Sequence, residues 1–136
     1  MPVILWAGVI FALSSVPGTQ LPTVSVPQSD KMAHALVYGV LGALCFRATR
    51  RMSSPTSSNR MSAPGRSPLA IAAIAILLAT IYGITDELHQ NFTPQRTPDW
   101  HDVAADAFGG SLGAAAMLIA PWMKTLACSM MGRSDK

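Results

Sequence analysis

The chain has 136 residues, half of them hydrophobic and only 12% charged, with ten Lys and Arg against seven Asp and Glu. That charged share is about half the ~25% usual in a soluble domain, and a mean hydropathy of +0.34 excludes a disordered chain and argues against a water-soluble globule. The net charge of +3 would suit a nucleic-acid binder, but the basic residues are segregated between apolar runs, which is the pattern of a membrane protein.

The first apolar run, Pro2 to Val16, carries no charge and predicts a helix over about 2–20. It has no basic segment before it and no A-x-A cleavage site, so it reads as a retained helix rather than a signal peptide. Val16-Pro17-Gly18, Pro22 and Pro27 then impose a loop. Ser29 and Asp30 are good N-caps for a second helix over about 31–46, which carries Gly39 and Gly42. Both runs are short for a ~30 Å hydrocarbon layer and span it only by extending into their flanks or by local thinning of the bilayer.

Residues 47–67 hold five Arg, six Ser and two Pro, and no aromatic residue. They predict a disordered basic loop drawn to the anionic inner leaflet. Without aromatic platforms it is no single-strand nucleic-acid site, so no nucleic-acid partner is expected. A third helix follows over about 68–86, then a loop with Pro94 and Pro98. The fourth helix is expected over about 101–122. Its Gly109 and Gly113 have the G-x-x-x-G spacing, with Gly110 beside them, which suits close helix packing. The reading is all-α: a four-helix integral membrane bundle over 1–123 with a tail over 124–136.

Charge sets the orientation. With the loop at 47–67 in the cytoplasm and four spans, eight basic residues lie inside and two, Lys31 and Arg96, outside. The positive-inside rule then puts both termini in the cytoplasm. Cys45 and Cys128 show no metal-ligand spacing, and a reducing compartment disfavours a disulfide. Trp6, Trp100 and Trp122 read as belt residues at the membrane surfaces.

Six of the seven acidic residues and all three histidines gather in three short segments. Asp30, His34 and Tyr38 recur at i, i+4 and i+8, roughly one helix face. Asp102 and Asp106 are again i and i+4. Asp86 shares a face with His89 or Gln90. Glu87, Lys31 and Arg96 complete the set, and Arg96 is expected to reach Glu87 and Asp102. Asp99 and His101 read as solvated loop residues, and Tyr38 alone as an interfacial anchor. Ionisable groups below a membrane surface are costly unless paired. The cluster is therefore either a salt-bridge network or a ligand site.

These residues carry a resemblance. Asp30-Lys31-Met32-Ala33-His34 with Tyr38 and Leu41-Gly42, then Thr85-Asp86-Glu87-Leu88-His89-Gln90-Asn91-Phe92-Thr93-Pro94-Gln95-Arg96, Asp102, Asp106, Gly109, Gly110 and Gly113, resemble the VanZ-like family over roughly 3–120. The middle loop is long for that family. The resemblance implies a small bacterial membrane protein without an agreed biochemical activity. For the family's namesake it implies low-level resistance to teicoplanin, a glycopeptide that binds cell-wall precursors outside the membrane.

Two functions remain open. One is an enzyme or binder acting at the outer face on an envelope or lipid-linked ligand, such as a cell-wall precursor. There an Asp–His pair would do acid–base work and Arg96 or Lys31 would grip a phosphate or carboxylate. No cofactor is identified by a motif, although carboxylates with His can hold a divalent metal. The other is a non-catalytic scaffold or accessory protein whose polar cluster locks helices together. The inner halves of the third and fourth helices lack ionisable residues, which argues against a continuous proton path. The sequence leaves oligomeric state open.

Overall fold

The computed structural model describes residues 2–20, 29–53 and 65–131. Among these residues it has four α-helices and no strand: α1 (Pro2–Ser14), α2 (Ser29–Met52), α3 (Pro68–Gln90) and α4 (Trp100–Met131), with one 3-10 turn at Gly18–Gln20. Among the described residues, three stretches are long and apolar enough to cross a membrane, Asp30–Met52, Pro68–Gln90 and Trp100–Met123, while α1 is a shorter apolar helix, so three of the four expected spans are found.

The helix bounds differ from those read in the sequence, for local reasons. The first helix stops at Ser14 rather than near 20, because Pro17 and Gly18 cannot continue it. Its 13 residues span about 20 Å. The second runs to Met52, not 46, so the segment 47–52 expected to be disordered is helical. Arg50 and Arg51 sit in its last turn, where cations complement the helix dipole. The rest of that expected loop, 54–64, lies outside the described residues. α3 starts where Ser67 accepts a hydrogen bond from the Ala70 N–H with Pro68 in the first turn, and it runs on to Gln90. α4 passes through Pro121 to Met131, so Cys128 is helical rather than part of a tail, while 132–136 lie outside the described residues. Cys45 lies within α2 and is buried.

Small residues set the packing. α2 and α4 meet backbone to backbone. A Cβ on Gly113 would overlap the Gly39 carbonyl, one on Gly109 the Ala35 carbonyl, and one on Gly42 the Gly110 carbonyl. α3 lies along this pair with an alanine stripe, and Ala75 and Ala79 are fully buried. α1 packs only on the polar half of the bundle. Tyr82 Oη donates to Ala7 O at 2.7 Å and Trp6 Nε1 to Val37 O at 2.9 Å, so Trp6 is a packing residue, not a belt anchor. Large apolar side chains point outward, among them Ile4, Leu5, Leu36, Leu69 and Leu77. Polar groups and small residues share the interior with a few large apolar side chains, Ile10, Leu41, Phe46 and Ile71. That inverted pattern suits a lipid surroundings, where close van der Waals packing and interhelical hydrogen bonds replace the hydrophobic effect between helices.

Candidate functional site

The polar residues gather at the end of the bundle where α2 and α4 begin and α3 ends. Asp86 and Glu87 are consecutive on a helix, so their side chains leave about 100° apart and enter different interfaces. This divides the cluster into two linked parts.

Toward α2 and α4, His34 Nδ1 lies 2.9 Å from Asp106 Oδ1, and Asp106 is completely buried. Gly83 makes room for it: a Cβ there would lie 2.8 Å from Asp106 Oδ2. One turn further in, Tyr38 is 1% exposed. Its ring is parallel to that of His34, with centroids 6.4 Å apart. Tyr38 is thus a core residue, not an interfacial anchor. Glu87, 5% exposed, accepts the Asp99 backbone N–H at 3.0 Å through Oε2. Tyr38 Oη, Glu87 Oε1 and Asp106 Oδ2 are buried without a hydrogen-bond partner. Buried polar atoms are nearly always satisfied, so three in one cluster mark a place where the fold accepts a cost. His34, Glu87 and Asp102 each present a ligand-type atom, all within 4.8 Å of one another, and are the residues able to hold a metal ion.

At the rim, Lys31 Nζ donates to Asp99 Oδ2 at 2.9 Å and to Asp102 Oδ1 at 3.0 Å. Asp30 is exposed and 3.6 Å from the same ammonium. Asp99 therefore belongs to the cluster rather than to a merely solvated loop. The backbone N–H of His101, then Lys31 and the His101 ring, hold the Asp99 carboxyl well below the usual carboxylate range. His101 itself is exposed, with Nδ1 2.6 Å from Asp99 Oδ1.

Toward α1, Asp86 accepts a hydrogen bond from Ser14 Oγ at 2.6 Å and from Gln90 Nε2 at 3.2 Å. Arg96 does not reach Glu87 or Asp102. It donates to Val16 O at 3.3 Å, Leu13 O at 3.2 Å and Gln90 Oε1 at 3.5 Å. Leu13 O at the end of α1 also accepts the Val16 N–H at 3.2 Å, and a five-donor guanidinium adds a second donor there and one for Val16 O just beyond the helix. The loop is pinned here as well. Gly18 N donates to Pro94 O at 3.2 Å, and Gln95 takes a left-handed φ of 58° with its carbonyl against Gly18. His89 turns away from Asp86, to Ser15 Oγ at 3.1 Å and the Phe11 ring.

The two parts share a cavity of about 160 Å³. Ile10, Leu13, Ala33 and Val37 give it apolar walls, and Ser14, His34, Tyr38, Asp86, Gln90 and Arg96 give it polar ones. Of the residues singled out in the sequence, His34, Tyr38, Asp86, Gln90 and Arg96 line this cavity. Lys31, Glu87, Asp102 and Asp106 adjoin it through His34, whereas Asp30 and His89 stand apart. Ser14 and Gly83 were not expected in the site. Ser14 had one signal, a hydroxyl at the end of an otherwise apolar run. Gly39, Gly42, Gly109 and Gly113 lie at the α2–α4 contact, and a Cβ on Gly110 would meet Ala79 Cβ of α3 at 2.9 Å.

No curated protein and no solved structure is detectably similar to the chain. The family model described as VanZ/LLP1 matches residues 1–121, which takes in α1, α2, α3, the whole polar cluster and most of α4. The chain belongs to the VanZ/LLP1 family.

Proposed function

We propose that this protein binds an envelope or lipid-linked ligand, such as a cell-wall precursor, at the outer face of the bacterial cytoplasmic membrane. The observation that carries the reading is the His34–Asp106 pair, held inside the bundle beside Tyr38 and a cavity lined by both apolar and polar side chains. Such a cavity matches an amphiphile. The aliphatic wall takes hydrocarbon, and Arg96 and His34 face a charged or hydrogen-bonding head. A fold built only for stability would place apolar residues there.

The outward orientation rests on the basic residues: eight on the side assigned to the cytoplasm, with the C-terminus, and two beside the polar cluster. A reporter after Lys136 or near Ser57 is expected to read cytoplasm, and one near Gln95 the outside. A cytoplasmic Gln95 would overturn the orientation. Teicoplanin resistance is the particular form of this function that the family's namesake suggests. Deleting and restoring the gene should shift glycopeptide susceptibility if it applies here.

The binding test uses purified protein in detergent with a polyprenyl phosphate, and phosphatidylglycerol as the comparison lipid. The polyprenyl phosphate should raise the melting temperature of the wild type but not of His34→Gln. Equal stabilisation by both lipids, or an unchanged response in His34→Gln, would refute it. A scaffold role has one observation of its own: Lys31 ties α2 to Asp99 and Asp102 at the start of α4. That clamp sits at the rim, and it leaves Glu87 Oε1 and Asp106 Oδ2 without partners.

A further inference from the structure

We infer that His34, Glu87 and Asp102 form a binding site for a divalent transition-metal ion, with Asp106 orienting the histidine. One residue comes from each of α2, α3 and α4, and their ligand atoms already lie within 4.8 Å of one another. A tetrahedral ion with bonds of ~2.1 Å holds its ligand atoms about 3.4 Å apart. Closing the set therefore needs the ligand atoms to draw together by at most about 1.4 Å.

Each residue is prepared differently for that role. The Asp106 carboxylate faces His34 Nδ1 at 2.9 Å. This arrangement fixes the proton on Nδ1 and leaves Nε2 as the free donor, as carboxylate–histidine pairs do around metals. Glu87 is anchored through Oε2 by the Asp99 backbone N–H, and its buried Oε1 has no partner. Asp102 gives Oδ1 to Lys31 and keeps its other oxygen.

Charge points the same way. Glu87, Asp102 and Asp106 bring three carboxyl groups together, of which Lys31 bonds only Asp102, and a divalent ion would balance two carboxylates of the set. Lys31 does not fill that role alone, because it bonds Asp99 and Asp102 at the rim and neither of the unpartnered oxygens. One imidazole with two carboxylates selects Zn²⁺, Mn²⁺ or Fe²⁺ over the all-oxygen sites of Mg²⁺ or Ca²⁺. Three protein ligands also leave coordination positions open for an oxygen of an exogenous ligand.

This inference deepens the ligand-site reading proposed above and shares its residues, yet its test uses metal alone. A failure here would leave the polyprenyl phosphate assay standing. Chelator-treated protein in detergent, shown folded by size-exclusion chromatography, is titrated with Zn²⁺ and separately with Co²⁺. The wild type should bind one equivalent at micromolar concentration. Glu87→Gln and Asp102→Asn should each weaken binding at least tenfold, and the double variant His89→Gln/His101→Gln should retain it. Co²⁺-loaded wild type and that double variant should both show one hyperfine-shifted imidazole resonance, which leaves only His34 as its source. Either variant failing to fold leaves the stoichiometry and the resonance to decide. Absence of a stoichiometric site in folded wild type, loss of the resonance in His89→Gln/His101→Gln, or full binding by folded Glu87→Gln would overturn the inference.

Discussion

The glycines at the α2–α4 contact should not be equivalent, and their differences can be worked from the geometry. A Cβ on Gly113 would overlap the Gly39 carbonyl oxygen and lie 2.8 Å from its carbon and 3.0 Å from Ala43 N. These are backbone atoms, so no side chain can rotate away. Restoring ordinary carbon contacts of ~3.5–4.0 Å moves the helices apart by about 1 Å, which forfeits a quarter to a half of the dispersion energy of each contact along the seam. Overpacking of this kind costs ~1–3 kcal/mol or more. Replacing a helical Gly by Ala returns up to about 1 kcal/mol in propensity. Gly113→Ala and Gly109→Ala should therefore lose about 2 kcal/mol net. Gly39→Ala meets only the Gly109 carbonyl, oxygen at 3.4 Å and carbon at 3.9 Å, so it should be neutral or gain ~0.5–1 kcal/mol. Reversible unfolding in mixed micelles, followed by tryptophan fluorescence, measures the difference. Equal losses for Gly39→Ala and Gly113→Ala would refute the reasoning.

Arg96→Ala should destabilise by about 1–2 kcal/mol, because it strips donors from Leu13 O and Val16 O; Glu87→Gln should not rescue it, and a double-mutant cycle checks both. Ser14→Ala removes the 2.6 Å hydrogen bond to Asp86 and should speed hydrogen exchange in α1 more than in α2 or α4. Asp99 has a depressed folded-state pKa, so its stabilisation is present above the unfolded value of ~3.9 and is lost as pH falls below it. The stability deficit of Asp99→Asn, measured by thermal unfolding, should be constant from pH 5 to 8 and shrink below about pH 4.

Much of this architecture was legible in the sequence because membrane helices declare themselves by composition. The uncharged runs, the proline breaks and the five arginines between 47 and 66 mark the helices and their order. The spacing of Gly109 and Gly113 marks the tightest seam. Helix ends were less legible. α2 outlasts its apolar run because Arg47, Arg50 and Arg51 are good helix formers, so hydropathy marks where lipid ends rather than where hydrogen bonding does. Partners were the least legible. Periodicity put Asp30, His34 and Tyr38 on one face, and the structure turns His34 and Tyr38 inward while Asp30 meets solvent at the helix start. Arg96 was assigned to acids by charge, but it bonds the carbonyls of Leu13 and Val16 where α1 ends, and nothing in the sequence reports which backbone carbonyls a helix end will present.

The central claim is that the buried polar groups of α2, α3 and α4 are kept for a ligand and not for stability. Glu87→Gln tests it most directly. The amide oxygen of Gln can still accept the Asp99 N–H, while a buried carboxylate with one unpartnered oxygen is removed. Measured by thermal unfolding in detergent at pH 7, Glu87→Gln should melt no lower than the wild type, and the stabilisation by polyprenyl phosphate should disappear. A loss of about 1–3 kcal/mol, the cost of leaving a buried hydrogen-bonding group unsatisfied, would contradict the claim and make the cluster a structural lock.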